Sequence, residues 1–479
     1  MQRLFRLLLC LLLVNPLLVQ AAPPAHKKTV AKTENTARIG YLLLDAESGR
    51  VLDASREREV FLPASVAKVP TTLAALHILG SGFRFVTSVK ATGPLEAGVV
   101  KGDLILVGSG DPSFNIAGVM DLLMQLKIKG IKKIQGRFLF DESALLPAEN
   151  ITEEQNEEES YNQGVSALSM EFNRVQFQWS LAKNGQLTTR FTPALGNIEV
   201  VPGPAAKAGP SLVHLGGEGT ERWRLNPRNA RSGWEWVPVR RPARHAALFF
   251  REMGGETGIE LPLPAPGQAP ANATTLASHA SAPLSDLVDP TLEHSNNLWT
   301  ELIGMTAAAK WTKQPQSVSG AAKVLAEWIA GKLPQTDWSG YRLTNGSGLS
   351  SSSRVTPKQV VEILQWANTS LAGERSYLSM LPISGWKGTL SRRFTGPSTF
   401  RVWAKTGTVV YGKGLAGYLF TRRHSRLIFA VFVSDFEQRR IFDARMKQHL
   451  REEIAQGNAW NSQATAQINA LVERWLQTY

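Results

Sequence analysis

The chain has 479 residues, with 53 lysines and arginines against 40 aspartates and glutamates, a formal charge of +13. That length exceeds one ordinary hydrophobic core, so two or three domains are expected, and the basic balance favours anionic partners such as wall polymer or lipid headgroups. Cys10 is the only cysteine, which excludes a disulfide framework, a thiolate zinc site and a cysteine nucleophile from a chain processed beyond it.

Residues 1–21 read as a secretory signal. Arg3 and Arg6 precede the run LLLCLLLVNPLLV, too short to span a bilayer, and Val19-Gln20-Ala21 is a small-x-small cleavage site. Lipidation at Cys10 is disfavoured because Leu9 is large where such a site wants a small residue. The expected protein is therefore exported, periplasmic and without a transmembrane segment, with membrane contact limited to the periphery. Residues 22–37 are polar and rich in proline and lysine, a flexible leader. Next, RIGYLLLDAESGRVLDASR predicts a hairpin turning at Glu47-Ser48-Gly49. From Ser65 onward, Val66, Val69, Leu73 and Leu76 form a helical stripe, with Pro70 tolerable near the helix start.

From about residue 85 the pattern turns strand-like (VTSVKATG, DLILVGSG, IQGRFLFDES) around one helical piece, AGVMDLLMQLKIKG. The acidic run Glu153 to Glu159 reads as a solvated loop. Residues 222–251 hold eight arginines interleaved with Trp223, Trp234 and Trp236. Such a cluster can bind glycan or nucleic acid, but edge-strand tryptophans covered by snorkelling arginines are the commoner arrangement. The Pro/Ala-rich stretch at 261–283 marks a boundary. Beyond it SDLVDPTLEH, LWTELIGMTAAAKW and AAKVLAEWIAGKL are helical, FRVWAKTG, AGYLFTRR and RLIFAVFVSD are strands, and a helical tail closes the chain. Strands at both ends with helices between predict one mixed domain, 38–85 with 280–479, interrupted by a mostly-β insertion at 86–279 that reads as two nested units.

Residues 404–417, AKTGTVVYGKGLAG, contain two nucleotide-binding spellings. Gly407 to Lys413 is G-x-x-x-x-G-K, but Gly414 stands where the magnesium-binding hydroxyl belongs. Gly412, Gly414 and Gly417 spell G-x-G-x-x-G, yet they open a strand, and Asp435 follows without the intervening helix. The remaining reading is Lys405-Thr406-Gly407-Thr408 on a strand, where Lys405 and Gly407 share a face and the small glycine leaves room for a substrate backbone. Upstream, Ser65-Val66-Ala67-Lys68 puts a hydroxyl and an amine on one helix face. A lysine so placed takes the serine proton when neutral, and a second cation such as Lys405 would lower its pKa toward that state. Ser295-Asn296-Asn297 lies in a loop between helices and can aim Ser295 and Asn297 into a cleft. Taken singly these are a cap, a solvated lysine and an edge-strand charge. Together, S-x-x-K, S-x-N and K-T-G in this order form a specific constellation.

At these motifs the sequence resembles the serine penicillin-binding proteins and serine β-lactamases. Within them it is similar to the D-alanyl-D-alanine carboxypeptidase/endopeptidase family of penicillin-binding protein 4, peptidase family S13. The long separation of Ser65 from Ser295 exceeds that of a compact β-lactamase and matches this family's inserted domains; GSGDPSF, NGSGLSSSSRVTP and LPISGWKGTLSRRF support it. The resemblance implies an α+β fold, an antiparallel sheet with helices on both faces. It implies that Ser65 attacks a D-Ala-D-Ala peptide bond, Lys68 accepts its proton and Ser295 passes it to the departing amine. Asn297, Lys405, Thr406, Gly407 and Thr408 would bind substrate, and the backbone N–H groups of Ser65 and Thr408 would form the oxyanion hole. The implied partners are peptidoglycan stem peptides and covalently bound β-lactams, without metal, organic cofactor or nucleic acid; oligomeric state, a dimer included, stays open. Asn296 and Thr300-Glu301 depart from the family's usual Asp and Ala-Glu, and Ser351 and Ser352 replace a pattern that often includes arginine, which touches loop support and substrate preference. The rivals are a non-catalytic wall-binding protein on the same fold, a β-lactamase, and a hydrolase using His77 or His294, for which no G-x-S-x-G exists.

Overall fold

The computed structural model describes residues 36–479 apart from 183, 185, 194–197, 205–211, 218–219, 227–231, 370, 373–374, 425 and 446–450. The signal sequence at 1–21 and the leader up to residue 35 lie outside the described residues.

The run LIFAVFVS forms the strand Leu427–Ser434, buried along its whole length. Successive side chains of a strand point to opposite faces, so an unbroken apolar run needs cover on both. Leu427, Phe429, Val431 and Val433 pack with Ile468, Val472 and Trp475 of the helix Arg451–Thr478. Ile428, Ala430 and Phe432 join the opposite core, with Val69 and Leu73 of the helix Lys68–Leu79. Around this strand lies a five-stranded sheet in the order Val402–Val409, Gly412–Leu419, Leu427–Ser434, Arg38–Asp45, Val51–Ser55. Every neighbouring pair is antiparallel. The fold is therefore α+β, with strands from both ends of the chain in one sheet. Val402–Val409 is an edge strand; Ala404 N donates to Pro382 O at 3.0 Å, and beyond it the edge has no sheet partner among the described residues.

A second, mixed sheet runs Pro264–Pro266, Phe138–Asp141, Leu104–Val107, Val86–Ala91, Thr274–Ala280. The helices Ile116–Ile128 and Pro242–Thr257 close its core through Leu122, Leu126 and Phe250. Two three-stranded sheets, Leu187–Thr192 with Arg174–Leu181 and Ser232–Pro238, and Ile198–Pro202 with Glu221–Leu225 and Leu212–Gly216, share a core of Phe177, Trp223, Leu225 and Val237.

The structure sharpens three expectations. The boundary stretch 261–283 is itself built into the fold, because it supplies both outer strands of the mixed sheet, where the prolines of Pro264–Pro266 sit on an edge that tolerates a missing N–H. The acidic run is not merely solvated, because the segment around it packs Leu145, Ile151, Val165 and Ala167 into the core beneath Lys68–Leu79. The tryptophans divide: Trp223 is buried, whereas Trp234 and Trp236, on the edge strand Ser232–Pro238, are 57% and 39% exposed.

Candidate active site

Ser65 lies in the 3-10 turn Ala64–Ala67, which runs directly into Lys68–Leu79. The preceding residue, Ala64, has φ +45°, a conformation that costs an L-residue about 1–2 kcal/mol. Gly348 helps to hold it, since a Cβ at 348 would lie 1.9 Å from Ala64 O. Three residues on, Lys68 is fully buried and its Nζ meets Ser65 Oγ at 3.0 Å, Asn297 Oδ1 at 2.8 Å and Ser347 O at 2.8 Å. Asn297 Oδ1 and Ser347 O can only accept, so they take two N–H bonds. In the neutral amine the remaining lone pair then faces the Ser65 hydroxyl, the geometry a general base needs.

Burial brings Lys68 from 10.5 down to about 7, against the opposing charge of Glu301. Desolvation, rather than the Lys405 charge expected from the sequence, is the main cause of that lowering. Lys405 is itself held well below the ordinary lysine range by burial and then by the Lys68 charge, a repulsion the two amines share. Glu301 stands out as the residue whose role sequence reasoning missed. It is buried, and its Oε1 and Oε2 accept from Ser347 N at 2.7 Å and Gly346 N at 3.0 Å. Burial raises its pKa, while two N–H donors match its ionised form. It thereby fixes the turn whose Ser347 carbonyl receives Lys68. The available signal was a lone carboxylate in the otherwise apolar helical stretch LWTELIGM.

Ser295 sits at φ +55° between the helices Leu284–Glu293 and Asn297–Thr312. Asn296 caps the second helix by accepting from Trp299 N at 3.0 Å, so the departure from Asp preserves the loop's support. Lys405 Nζ donates to Ser295 Oγ at 2.8 Å and to Thr406 O at 2.9 Å. Ser65, Lys68, Asn297, Ser295 and Lys405 thus converge from the nucleophile turn, its helix, the loop and the edge strand. At Gly407 a Cβ would lie 2.5 Å from Pro63 O, so the bare backbone there also lets the strand close on the nucleophile turn. Thr406 Oγ1 donates to Thr389 Oγ1 at 2.9 Å, and exposed Thr408 Oγ1 accepts from Lys413 Nζ at 2.7 Å.

These residues open onto a cavity of about 540 Å³ lined by Ser65, Ser295, Asn297 and Thr408, with Glu159 and Tyr161 of the insertion opposite. Asn297 Nδ2 donates to Tyr161 O at 3.2 Å. Glu154 latches this wall: Oε2 accepts from Ser350 Oγ at 2.8 Å, Ser351 N at 2.6 Å and Ser351 Oγ at 3.0 Å, and Oε1 from Ser352 Oγ at 2.6 Å. The serines standing where arginine was expected therefore hold a carboxylate of the insertion. Of the histidines, His77 stacks on Trp366 at 4.5 Å with its Nε2 buried and unpartnered, and is no base for Ser65.

Among curated proteins, the D-alanyl-D-alanine carboxypeptidase DacB of Haemophilus influenzae is 24% identical over 85% of this chain and 87% of its own length. The D-alanyl-D-alanine carboxypeptidase of an Actinomadura species is 27% identical over 79% of this chain and 74% of its own. Among solved structures, penicillin-binding protein 4 (dacB) of Haemophilus influenzae superposes with a TM-score of 0.75 at 22% identity, over 90% of this chain and 97% of that one. A second structure of it, complexed with a novel β-lactam, gives 0.72. With residues 26–453 matched by the family description D-Ala-D-Ala carboxypeptidase 3 (S13), the chain belongs to that family.

Proposed function

We propose that Ser65 is the acylated nucleophile of a serine-type D-Ala-D-Ala carboxypeptidase acting on peptidoglycan stem peptides, with DD-endopeptidase action on cross-links. The observation that carries this is the Lys68 amine, buried, 3.0 Å from Ser65 Oγ, and brought to about 7. Ser65 Oγ attacks the carbonyl as Lys68 takes its proton, and Ser295 delivers a proton to the departing nitrogen. The N–H groups of Ser65 and Thr408 receive the oxyanion, a contribution of about 3–4 kcal/mol. Asn297 holds the substrate amide, Lys405, Thr406 and Thr408 hold the terminal carboxylate, and Gly407 keeps that strand against the nucleophile turn. Water then releases the acyl group, and a β-lactam stalls at this ester. The relative solved with a β-lactam supports the last point. We assign the chemistry to 38–85 with 280–479, the cleft's outer wall to the insertion at 86–279, and the protein to the periplasm. Among the described residues no helix is long and apolar enough to cross a membrane.

Intact mass spectrometry after labelled penicillin tests the reading. One drug on the peptide containing Ser65 is expected, with Ser65→Ala losing both the adduct and D-alanine release from a pentapeptide. D-alanine release surviving in that variant sinks the assignment, and rapid drug turnover without a lasting adduct would make the protein a β-lactamase.

A further inference from the structure

Residues 375–434 carry ten lysines and arginines and no acid; all 40 aspartates and glutamates of the chain lie outside this stretch. Its second half folds into the edge strand Val402–Val409, the next two strands of the sheet and the turns between them, with Val402 paired to Leu419 at one end. At that end the rings of Trp386 and Phe400 meet edge to face, centroids 6.0 Å apart, and stand 64% and 57% exposed. Trp403, whose Nε1 donates to Phe400 O at 2.8 Å, continues the patch to Phe420, centroids 5.6 Å apart. None of these four rings belongs to the lining of the Ser65 cavity.

The backbone holds Phe400 outward. Its φ is +64°, a region that a bulky L-residue rarely adopts, and its N–H is pinned to Ser384 O at 3.0 Å. Gly385 lets the turn bearing Trp386 lie against the turn bearing Phe400, since a Cβ there would lie 2.8 Å from Thr399 Oγ1. Core packing does not require large rings held in water by a strained turn, so the strain marks a function. Arg401 follows Phe400 in the chain and Arg422 lies two residues past Phe420; neither has a carboxylate partner among the described residues. The acids that approach from other elements are already engaged, Asp289 and Glu293 with Lys387, Glu473 with Ser398, and Asp45 with His424.

We propose that this patch docks the protein on an anionic lipid surface, Trp386 and Phe400 entering the headgroup layer while Arg401 and Arg422 meet lipid phosphates. Aromatic side chains settle at the headgroup level, and each cation beside an anionic bilayer strengthens binding about fivefold. A second copy of the chain would set this acid-free surface against its own like charges. A glycan stacks on an open ring face, whereas in this pair the edge of one ring is turned to the face of the other. The docking requires export to a compartment bounded by such a surface and is independent of the Ser65 assignment.

Flotation of the full chain with vesicles of phosphatidylcholine, with and without phosphatidylglycerol, measures the docking. The protein should bind the mixed vesicles and come off as the salt concentration rises. Arg401→Glu combined with Arg422→Glu should weaken binding about 25-fold or more, and R401K with R422K should retain it. Trp386→Ala combined with Phe400→Ala should weaken it about tenfold or more. Labelled-penicillin acylation and thermal unfolding are the folding controls for each variant. Variants that bind as the wild type does, or wild-type binding that ignores both phosphatidylglycerol and salt, overturn the proposal. So does binding to purified peptidoglycan with none to vesicles, or a dimer in sedimentation that W386A with F400A dissociates while vesicles stay bare. A wild type that floats with mixed vesicles but forms no penicillin adduct overturns the Ser65 assignment and supports the docking surface.

Discussion

Glu301→Gln separates the base role of Lys68 from the rest of the site. Burial takes Lys68 from 10.5 to about 7 against the opposing Glu301 charge. Near neutral pH the neutral base form of Lys68 is therefore far more populated than that of an ordinary lysine. Wild-type acylation should therefore rise with pH through about 7 and level off above it. Removing the Glu301 charge removes the influence that raises Lys68, so its pKa falls further and the acid limb moves to lower pH. The same change harms the scaffold. A glutamine offers one acceptor oxygen where Gly346 N and Ser347 N each had one, and an orphaned buried N–H costs about 1–3 kcal/mol. The expected phenotype is a less stable protein whose acylation persists to lower pH. The second-order rate constant for labelled penicillin between pH 5 and 9, alongside thermal unfolding, measures both effects. An acid limb that stays in place or moves upward would show that Lys68 is not the titrating base.

Gly407→Ala would set a methyl 2.5 Å from Pro63 O and push the edge strand off the nucleophile turn. Acylation should drop more than tenfold, with a stability loss of about 1–3 kcal/mol; wild-type rates would refute the packing role. Ser295→Ala and Ser295→Gly both delete the acceptor of Lys405 at 2.8 Å, and each should lower kcat by about 10²–10⁴. They should differ in stability, because φ +55° at this position favours glycine by about 1 kcal/mol; equal melting temperatures would contradict the left-handed backbone. Glu154→Gln should loosen the insertion's wall. The pKa of Glu154 is raised by burial but brought below 4.5 overall by the hydrogen bonds from Ser352, Ser350 and Ser351. Its contribution to stability is therefore present above 4.5 and lost as pH falls through the lower folded-state value. The melting-temperature gap between wild type and E154Q should close under acid, and a gap that widens would be the wrong sign.

Local periodicity made much of this protein legible. LIFAVFVS reads as a doubly covered strand because two-residue alternation leaves neither face polar, and the Ser65–Lys68 spacing places hydroxyl and amine on one helix face whatever packs around them. The order of such elements along the chain predicted one mixed domain with an insertion, and the α+β fold was implied by the resemblance that the motifs carry. What local pattern could not carry were properties created by distant neighbours. Lys68 and Asn297 are 229 positions apart and Ser351 and Glu154 197 apart, so neither the clamped amine nor the latched acidic loop is written in any short window. The side of the edge strand that needs Gly407 bare depends on Pro63 arriving there. The prolines at 261–283 mark a boundary in the sequence, and only the mixed sheet gives them an edge to sit on. The lowering of the Lys68 pKa belongs to tertiary structure most completely, because desolvation is set by everything that shuts water out. A sequence names the titratable group, and only the packed fold sets the cost of its charge.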